Sequence, residues 1–151
     1  MIQRAAPLLA ATVVALIVIA ATPAPVSTRD GVYTAAQAAD GARLYAAQCA
    51  MCHGRMLEGT FEIPGLGDRF IAQWSNAPLS NLHDYLGRAM PQFAPGSLSP
   101  GNNSKIIAFL LQANGLPGGS TALPADPAAL SRVMVQPADP RLTAGAVPRT
   151  Q

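Results

Sequence analysis

The sequence predicts an all-α fold for one small domain. Three segments combine helical spacing of apolar residues with a capping residue in front of them, and no segment alternates convincingly enough for a strand. The chain has 151 residues, of which 50% are hydrophobic and 12% charged. This length and composition suit a single folded domain and exclude disorder along the whole chain, although the 14 prolines suggest unstructured ends.

The first residues have the pattern of a secretory signal peptide. Arg4 supplies one positive charge, and an uncharged apolar run is followed by a small, proline-broken stretch. Because Leu8–Ala21 has only 14 residues and a membrane span needs about 20, we expect export without a membrane anchor. The expected signal peptide covers residues 1–26, with cleavage between Ala21 and Thr28, and an uncleaved anchor is the alternative.

The first helix is predicted over Ala35–Gln48. Alanine is frequent there, no β-branched residue occurs, and Thr34 stands in front as a cap for the amides of the first turn. Gly41 and Tyr45 lie four residues apart and share one face of this helix, and Cys49 follows after four more.

A second helix is predicted over Ser80–Gly87, with Ser80 as its cap and apolar residues at helical spacing. Before it, Phe70–Trp74 is expected to form another short helix. The segment Gly54–Gly67 is expected to be a loop, because it contains the turn pair Pro64-Gly65.

The third helix is predicted to begin after Ser99, with Pro100 in the first turn, where proline is tolerated. It stops at Asn114-Gly115, a pair suited to a left-handed helix end. Residues 117–151 form a proline-rich extension. Only Pro127–Val135 is expected to make a turn or two of helix there, lying on the domain surface.

The charge balance excludes one class of partner. The net charge is +2, and the loss of Arg4 with a signal peptide leaves nine basic against eight acidic residues. No polybasic patch indicates nucleic-acid binding. Two cysteines are also too few for a disulfide-rich scaffold.

The segment Cys49-Ala-Met-Cys52-His53 carries the C-x-x-C-H signature of covalent haem attachment. Two thiols on one helical turn can each add to one of the two vinyl groups of the porphyrin, and the adjacent histidine then lies beneath the iron. Attachment uses both cysteines of the chain. It also requires export, because bacteria carry out this chemistry outside the cytoplasm, and the signal pattern supplies that.

Two other uses of a C-x-x-C motif fit this sequence less well. A thioredoxin-like redox pair needs a βαβ context, whereas this motif follows a predicted helix and precedes a loop. A zinc site would need two further ligands, and His53 and His83 are the only histidines. Both alternatives are therefore weaker than haem attachment.

From Ala35 to Gly115 the chain resembles the mono-haem class I c-type cytochromes. The matching pattern is Gly41-x-x-x-Tyr45-x-x-x-Cys49-x-x-Cys52-His53-Gly54, then Met90-Pro91, then the helix that ends in Phe109-Leu-Leu-Gln-Ala-Asn-Gly115. The resemblance implies a cytochrome c fold over residues 34–116, with three main helices and shorter ones around one covalently bound haem c. It also implies that the first and last helices cross near Gly41 and Tyr45, with Ile106, Phe109 and Leu110 as the candidate partners on the last helix.

Met90 is the expected second axial ligand of the iron, opposite His53. It lies 37 residues after His53 and precedes Pro91, which favours an extended conformation at Met90. It also matches the Met-Pro element of the family. His83 is the rival, which would give ligation by two histidines, although the preferred interpretation of His83 is a solvent-facing residue of the second helix. An open sixth position is a further alternative. The other methionines beyond the signal lie too close to the attachment turn or in the extension: Met51, Met56 and Met134.

The resemblance names the Pro64 carbonyl as the acceptor for the second ring nitrogen of His53. The Trp74 indole N–H is a candidate partner for a haem propionate, and a simple core role is equally open. Five further residues are expected to line the pocket: Leu66, Phe70, Leu82, Leu86 and Phe93.

The resemblance implies a periplasmic electron-transfer protein that is not itself an enzyme. The segments Met90–Ser99 and Leu111–Pro117 look like those of cytochromes that accompany quinoprotein dehydrogenases. A pyrroloquinoline quinone (PQQ)-dependent dehydrogenase is therefore the expected electron donor, and an oxidase or another cytochrome the acceptor. The alternatives are a permanently bound, membrane-anchored haem subunit of an oxidoreductase, and an enzyme or gas sensor with a five-coordinate haem.

Overall fold

The computed structural model describes residues 24–139 and is mainly helical, as predicted. A short 3-10 helix (Thr28–Asp30) precedes six α-helices: α1 (Ala35–Gln48), α2 (Ala50–His53), α3 (Asp68–Gln73), α4 (Leu79–Ala89), α5 (Pro100–Ala113) and α6 (Pro127–Leu130). Two strands of two residues each, β1 (Val26–Ser27) and β2 (Val133–Met134), pair in parallel. The sequence did not predict these strands, because two residues are too few to carry an alternating pattern.

The starts of α1 and α5 follow the predicted capping chemistry. The hydroxyl of Thr34 accepts a hydrogen bond from the amide of Gln37 at 3.2 Å. The hydroxyl of Ser99 does the same for Asn102, also at 3.2 Å, and Pro100 occupies the first turn of α5. Both caps satisfy amides that have no partner within the helix.

Helix α4 departs from the prediction at both ends. Pro78, and not Ser80, is the residue before the helix, and its extended backbone makes no side-chain cap. Ser80 therefore lies within the first turn. At the other end the helix continues past Gly87, which packs closely against the side chain of Asn103 on α5.

Helices α1 and α5 cross where the resemblance implied. A Cβ atom at Gly41 would lie 1.8 Å from the carbonyl oxygen of Lys105, so the two backbones approach as closely as glycine alone permits. One turn along, the rings of Tyr45 and Phe109 are in contact, with centroids 5.1 Å apart. This crossing holds the end of α1, and with it the C-x-x-C-H turn, against the core.

The proline-rich extension packs into the core. The prediction that residues 127–135 lie on the domain surface is wrong, because Leu130, Val133 and Val135 are buried there, as is Leu123 before them. The spacing of these apolar side chains among prolines and small residues is too irregular to predict a buried face.

No helix within residues 24–139 is long and apolar enough to cross a membrane. The apolar run Leu8–Ala21, and with it most of the expected signal peptide over residues 1–26, lies outside the described part of the chain.

Candidate functional site

A cavity of about 760 Å³ opens beside the crossing of α1 and α5. Its walls come from the end of α1, from α2, from the loop before α3, from α3 and α4, from the segment after α4, and from α5. All five residues predicted to line the pocket do so: Leu66, Phe70, Leu82, Leu86 and Phe93. The volume lies within the range of about 300–1,000 Å³ that small-molecule and cofactor sites occupy.

The C-x-x-C-H turn forms one part of the wall. Cys49 ends α1, where its amide donates to the Tyr45 carbonyl at 2.8 Å, and its own carbonyl accepts from the amide of His53 at 2.9 Å. This tight turn brings Cys49, Cys52 and His53 to the same cavity, and both thiols are free. Burial, and to a lesser degree Cys52, raises the pKa of the Cys49 thiol to about 11.

The ring of His53 is oriented by the loop that follows it. Its Nδ1 lies 2.9 Å from the carbonyl oxygen of Pro64, and because a carbonyl only accepts, Nδ1 carries the proton. Two backbone hydrogen bonds fold the loop back, from the Gly59 amide to the His53 carbonyl and from the Leu66 amide to the Leu57 carbonyl. The bond between His53 and Pro64 leaves Nε2, on the other side of the ring, as the nitrogen that would bind a metal.

Tyr45 is hydrogen-bonded to the residue after the histidine, and Glu58 lies beside that residue. The Tyr45 hydroxyl donates to the carbonyl of Gly54 at 2.7 Å. Gly54 has a φ of +80°, and a Cβ atom there would collide with the carboxylate of Glu58. Burial raises the pKa of Tyr45 to about 12, with smaller contributions from Cys49 and Glu58. Sequence reasoning missed Glu58, since its role depends on a loop fold that no motif announces.

Met90 lines the same cavity from the end of α4. Its amide donates to the Leu86 carbonyl at 3.1 Å, and its backbone is extended, as Pro91 was predicted to impose. Met56 is 87% exposed and lies outside the cavity wall, and so does Met134 in β2. Met51 is at the rim, 81% exposed, within the attachment turn itself.

Trp74 lines the cavity between two aromatic neighbours. Its ring centroid lies 6.4 Å from that of Phe70 and 5.6 Å from that of Tyr85. Tyr85 lies on the second predicted helix, and no feature of the sequence indicates that it is part of the cavity wall. Ile106 and Leu110, expected as packing partners at the helix crossing, also reach the cavity.

His83 is turned away from this site. It is 7% exposed, it does not line the cavity, and its Nε2 donates to the Pro100 carbonyl at 3.0 Å. The interpretation of His83 as a solvent-facing residue is therefore wrong, and its bond to α5 argues against a role as the rival ligand. Within residues 24–139, no three side chains of the types His, Cys, Asp and Glu group together as a metal site of their own.

Comparison with known proteins gives two matches. The family model of cytochrome c oxidase, cbb3-type, subunit III, matches residues 36–110, from the start of α1 to near the end of α5. The crystal structure of the sulfane dehydrogenase SoxCD from Paracoccus pantotrophus matches with 25% identity, over 76% of this chain and 64% of that chain. Its TM-score is 0.47, too low for an inference. No curated protein matches the chain in sequence.

The matched family model spans the helix crossing, the C-x-x-C-H turn and Met90. Members of this family carry electrons and hold haem c covalently, which agrees with a cavity that has two free thiols in its wall and a histidine whose Nδ1 is hydrogen-bonded to a backbone carbonyl. The chain is therefore a c-type cytochrome.

Proposed function

We propose that the protein is a mono-haem electron-transfer cytochrome with His53 and Met90 as the axial ligands of the iron. Cys49 and Cys52 are the two attachment points. The observation that carries this proposal is the presence of all four side chains in the wall of one cavity of about 760 Å³. The hydrogen bond from His53 to Pro64 supports it further, because it leaves the correct ring nitrogen for the iron.

If two protein side chains ligate the iron, electron transfer is the activity that the site supports best. Haem supplies a one-electron couple when bound, and methionine opposite histidine raises its reduction potential relative to two histidines. Met90 and His53 together leave no coordination position for a substrate, so we infer no enzymatic reaction at this site. Leu82, Leu86 and Ile106 give the cavity an apolar wall, which would keep water away from a bound haem.

We infer a periplasmic location and a PQQ-dependent dehydrogenase as the electron donor, with an oxidase or another cytochrome as the acceptor. Support for the donor comes from the likeness of residues 90–99 and 111–117 to cytochromes that accompany such dehydrogenases. One observation favours the alternative of a permanently bound haem subunit, since the matched family model is that of an oxidase subunit. Co-purification separates the two: a soluble carrier elutes alone, whereas a subunit elutes with its complex.

The proposal is tested on protein produced in a host that exports the chain and attaches haem. We expect haem to remain on the chain in a denaturing gel, at one haem per polypeptide by pyridine haemochrome assay. The oxidised protein is expected to have a sulfur-to-iron charge-transfer band and to bind carbon monoxide poorly when reduced. The double variant Cys49→Ser, Cys52→Ser is expected to lose the covalent haem. Haem that dissociates on denaturation of the unaltered protein contradicts the proposal.

The position of signal cleavage gives a separate prediction. The amide of Val26 donates to the Arg132 carbonyl at 2.9 Å, and Thr28 is fully buried. A cut after Val26 would remove a residue that belongs to the folded domain, so we expect cleavage between Ala21 and Val26. Intact mass and N-terminal sequencing of the exported protein measure this. A mature chain that begins after Val26 would contradict the prediction, and one that retains Leu8–Ala21 would favour the anchored subunit.

A further inference from the structure

We propose that the end of the proline-rich extension is a positioning device for Met90. This inference rests on the proposed axial ligation. It concerns a structure that we call the clasp, formed by residues 26–29 and 132–137, together with α6 just before it. The clasp lies outside the segment matched by the family model, which ends at residue 110.

The clasp joins the two ends of the described chain by a dense set of hydrogen bonds. Val26 pairs with Val133 in the parallel ladder. The hydroxyl of Thr28 donates to the Gln136 carbonyl at 2.8 Å and accepts from the Gln136 amide at 2.9 Å. Arg29 Nε donates to the carbonyl of Pro137 at 2.7 Å. Thr28 is fully buried, so both bonds of its hydroxyl are shielded from competing water.

The same segment is hydrogen-bonded to the residues that lie just before α4. The Asn76 amide donates to the Val135 carbonyl, and the Val135 amide donates to the Ala77 carbonyl, both at 2.9 Å. Met134 forms an isolated bridge with Pro78, the residue before α4. Helix α6 and strand β2 both contact α4 itself, and Leu130 of α6 and Val135 are fully buried.

Helix α4 connects these contacts to the cavity. It begins directly after Pro78, runs for 11 residues, and ends at Met90, whose side chain lines the cavity. It also packs against α5, to which it is joined by the hydrogen bond from His83 to Pro100. A helix moves as a rigid rod over this length, so a shift at its clasped start changes the position of Met90 at its end. The clasp would thus set the position of the Met90 sulfur relative to a bound iron.

The test uses three leucine and valine truncations in the full-length, haem-loaded protein. Leu130→Ala and Val135→Ala remove side chains from the part of the extension that contacts α4. Leu123→Ala is the matched control, since Leu123 is a buried residue of the same extension whose backbone is bonded to the Gln37 side chain on α1. All three variants are expected to lower the unfolding midpoint, because each leaves a space in the core.

Only Leu130→Ala and Val135→Ala are expected to weaken the sulfur-to-iron band and to speed carbon monoxide binding, by about tenfold, which corresponds to about 1.4 kcal/mol in favour of the open iron. Measurements are made well below each unfolding midpoint. Val135→Ala, the smaller truncation, carries the test if Leu130→Ala does not fold.

Equal changes in all three variants, or none in any, overturn the positioning role while leaving Met90 ligation intact. An unaltered protein that lacks the band and binds carbon monoxide rapidly refutes the proposed ligation, and the positioning role with it.

Discussion

Replacement of Met90 by alanine is expected to abolish the sulfur-to-iron band and to open the iron to carbon monoxide. The alanine side chain cannot ligate, and among residues 24–139 no other methionine is positioned as a substitute, since Met51 projects at the rim and Met56 and Met134 lie outside the cavity wall. We also expect a lower reduction potential, because the loss of methionine removes a ligand that favours the reduced iron. Carbon monoxide binding is expected to accelerate well beyond tenfold, since displacement of the sulfur is then no longer required.

Met56→Ala is the matched control for this experiment. Met56 belongs to the same residue type, lies close to His53 in sequence and is almost wholly exposed, so its removal is expected to leave the spectrum and the potential unchanged. The unfolding free energy of Met90→Ala is expected to fall by about 2 kcal/mol, the low end for a methionine truncation, because Met90 is only half-buried. A Met90→Ala protein that keeps the band would eliminate Met90 as the ligand.

Gly41→Ala is expected to lower the free energy of unfolding by about 3 kcal/mol, at the upper end for overpacking. The added Cβ would lie 1.8 Å from the Lys105 carbonyl oxygen and 3.0 Å from the Cβ of Phe109. The first of these is a backbone atom in α5, which cannot swing aside as the end of a side chain can. The helices must therefore separate, which loosens the contact between Tyr45 and Phe109 beside the attachment turn.

Gly101→Ala separates this effect from helix propensity. Gly101 is also a helical glycine, in α5, but a Cβ there would meet nothing within 4 Å. It is expected to leave stability unchanged or to raise it by up to about 1 kcal/mol, because alanine favours the helix over glycine. Urea unfolding of both holoproteins measures the difference. If the two variants unfold alike, the crossing of α1 and α5 does not depend on the missing Cβ.

The parts of the fold that sequence reasoning found are those with a local cause. Thr34 and Ser99 each cap a helix within three residues of themselves, and the spacing of Gly41, Tyr45 and Cys49 lies on one element. The cavity residues were also accessible, since the resemblance joined the attachment turn to the distal methionine. These features depend on neighbours in the chain or on a pattern of fixed spacing.

The parts that it missed depend on partners distant in sequence. His83 is buried, and the Pro100 carbonyl on another helix accepts a hydrogen bond from its ring. The sequence of the second helix alone does not indicate this contact. The clasp pairs Val26 with Val133, and neither residue belongs to a recognisable strand pattern. Ser80 resembled a helix cap, yet Pro78 started the helix earlier, because its fixed φ already suits the residue that precedes a first turn.

The pairing across the clasp also joins residues that are far apart in the sequence, which has a consequence for folding. The bonds between Thr28 and Gln136 span 108 positions, whereas α1, the attachment turn and its loop form from residues much closer together. Contacts between such distant positions have a higher entropic cost of closure than local ones, so we expect them to form late in folding. The start of α4, which the clasp holds, is then expected to reach its final position late as well.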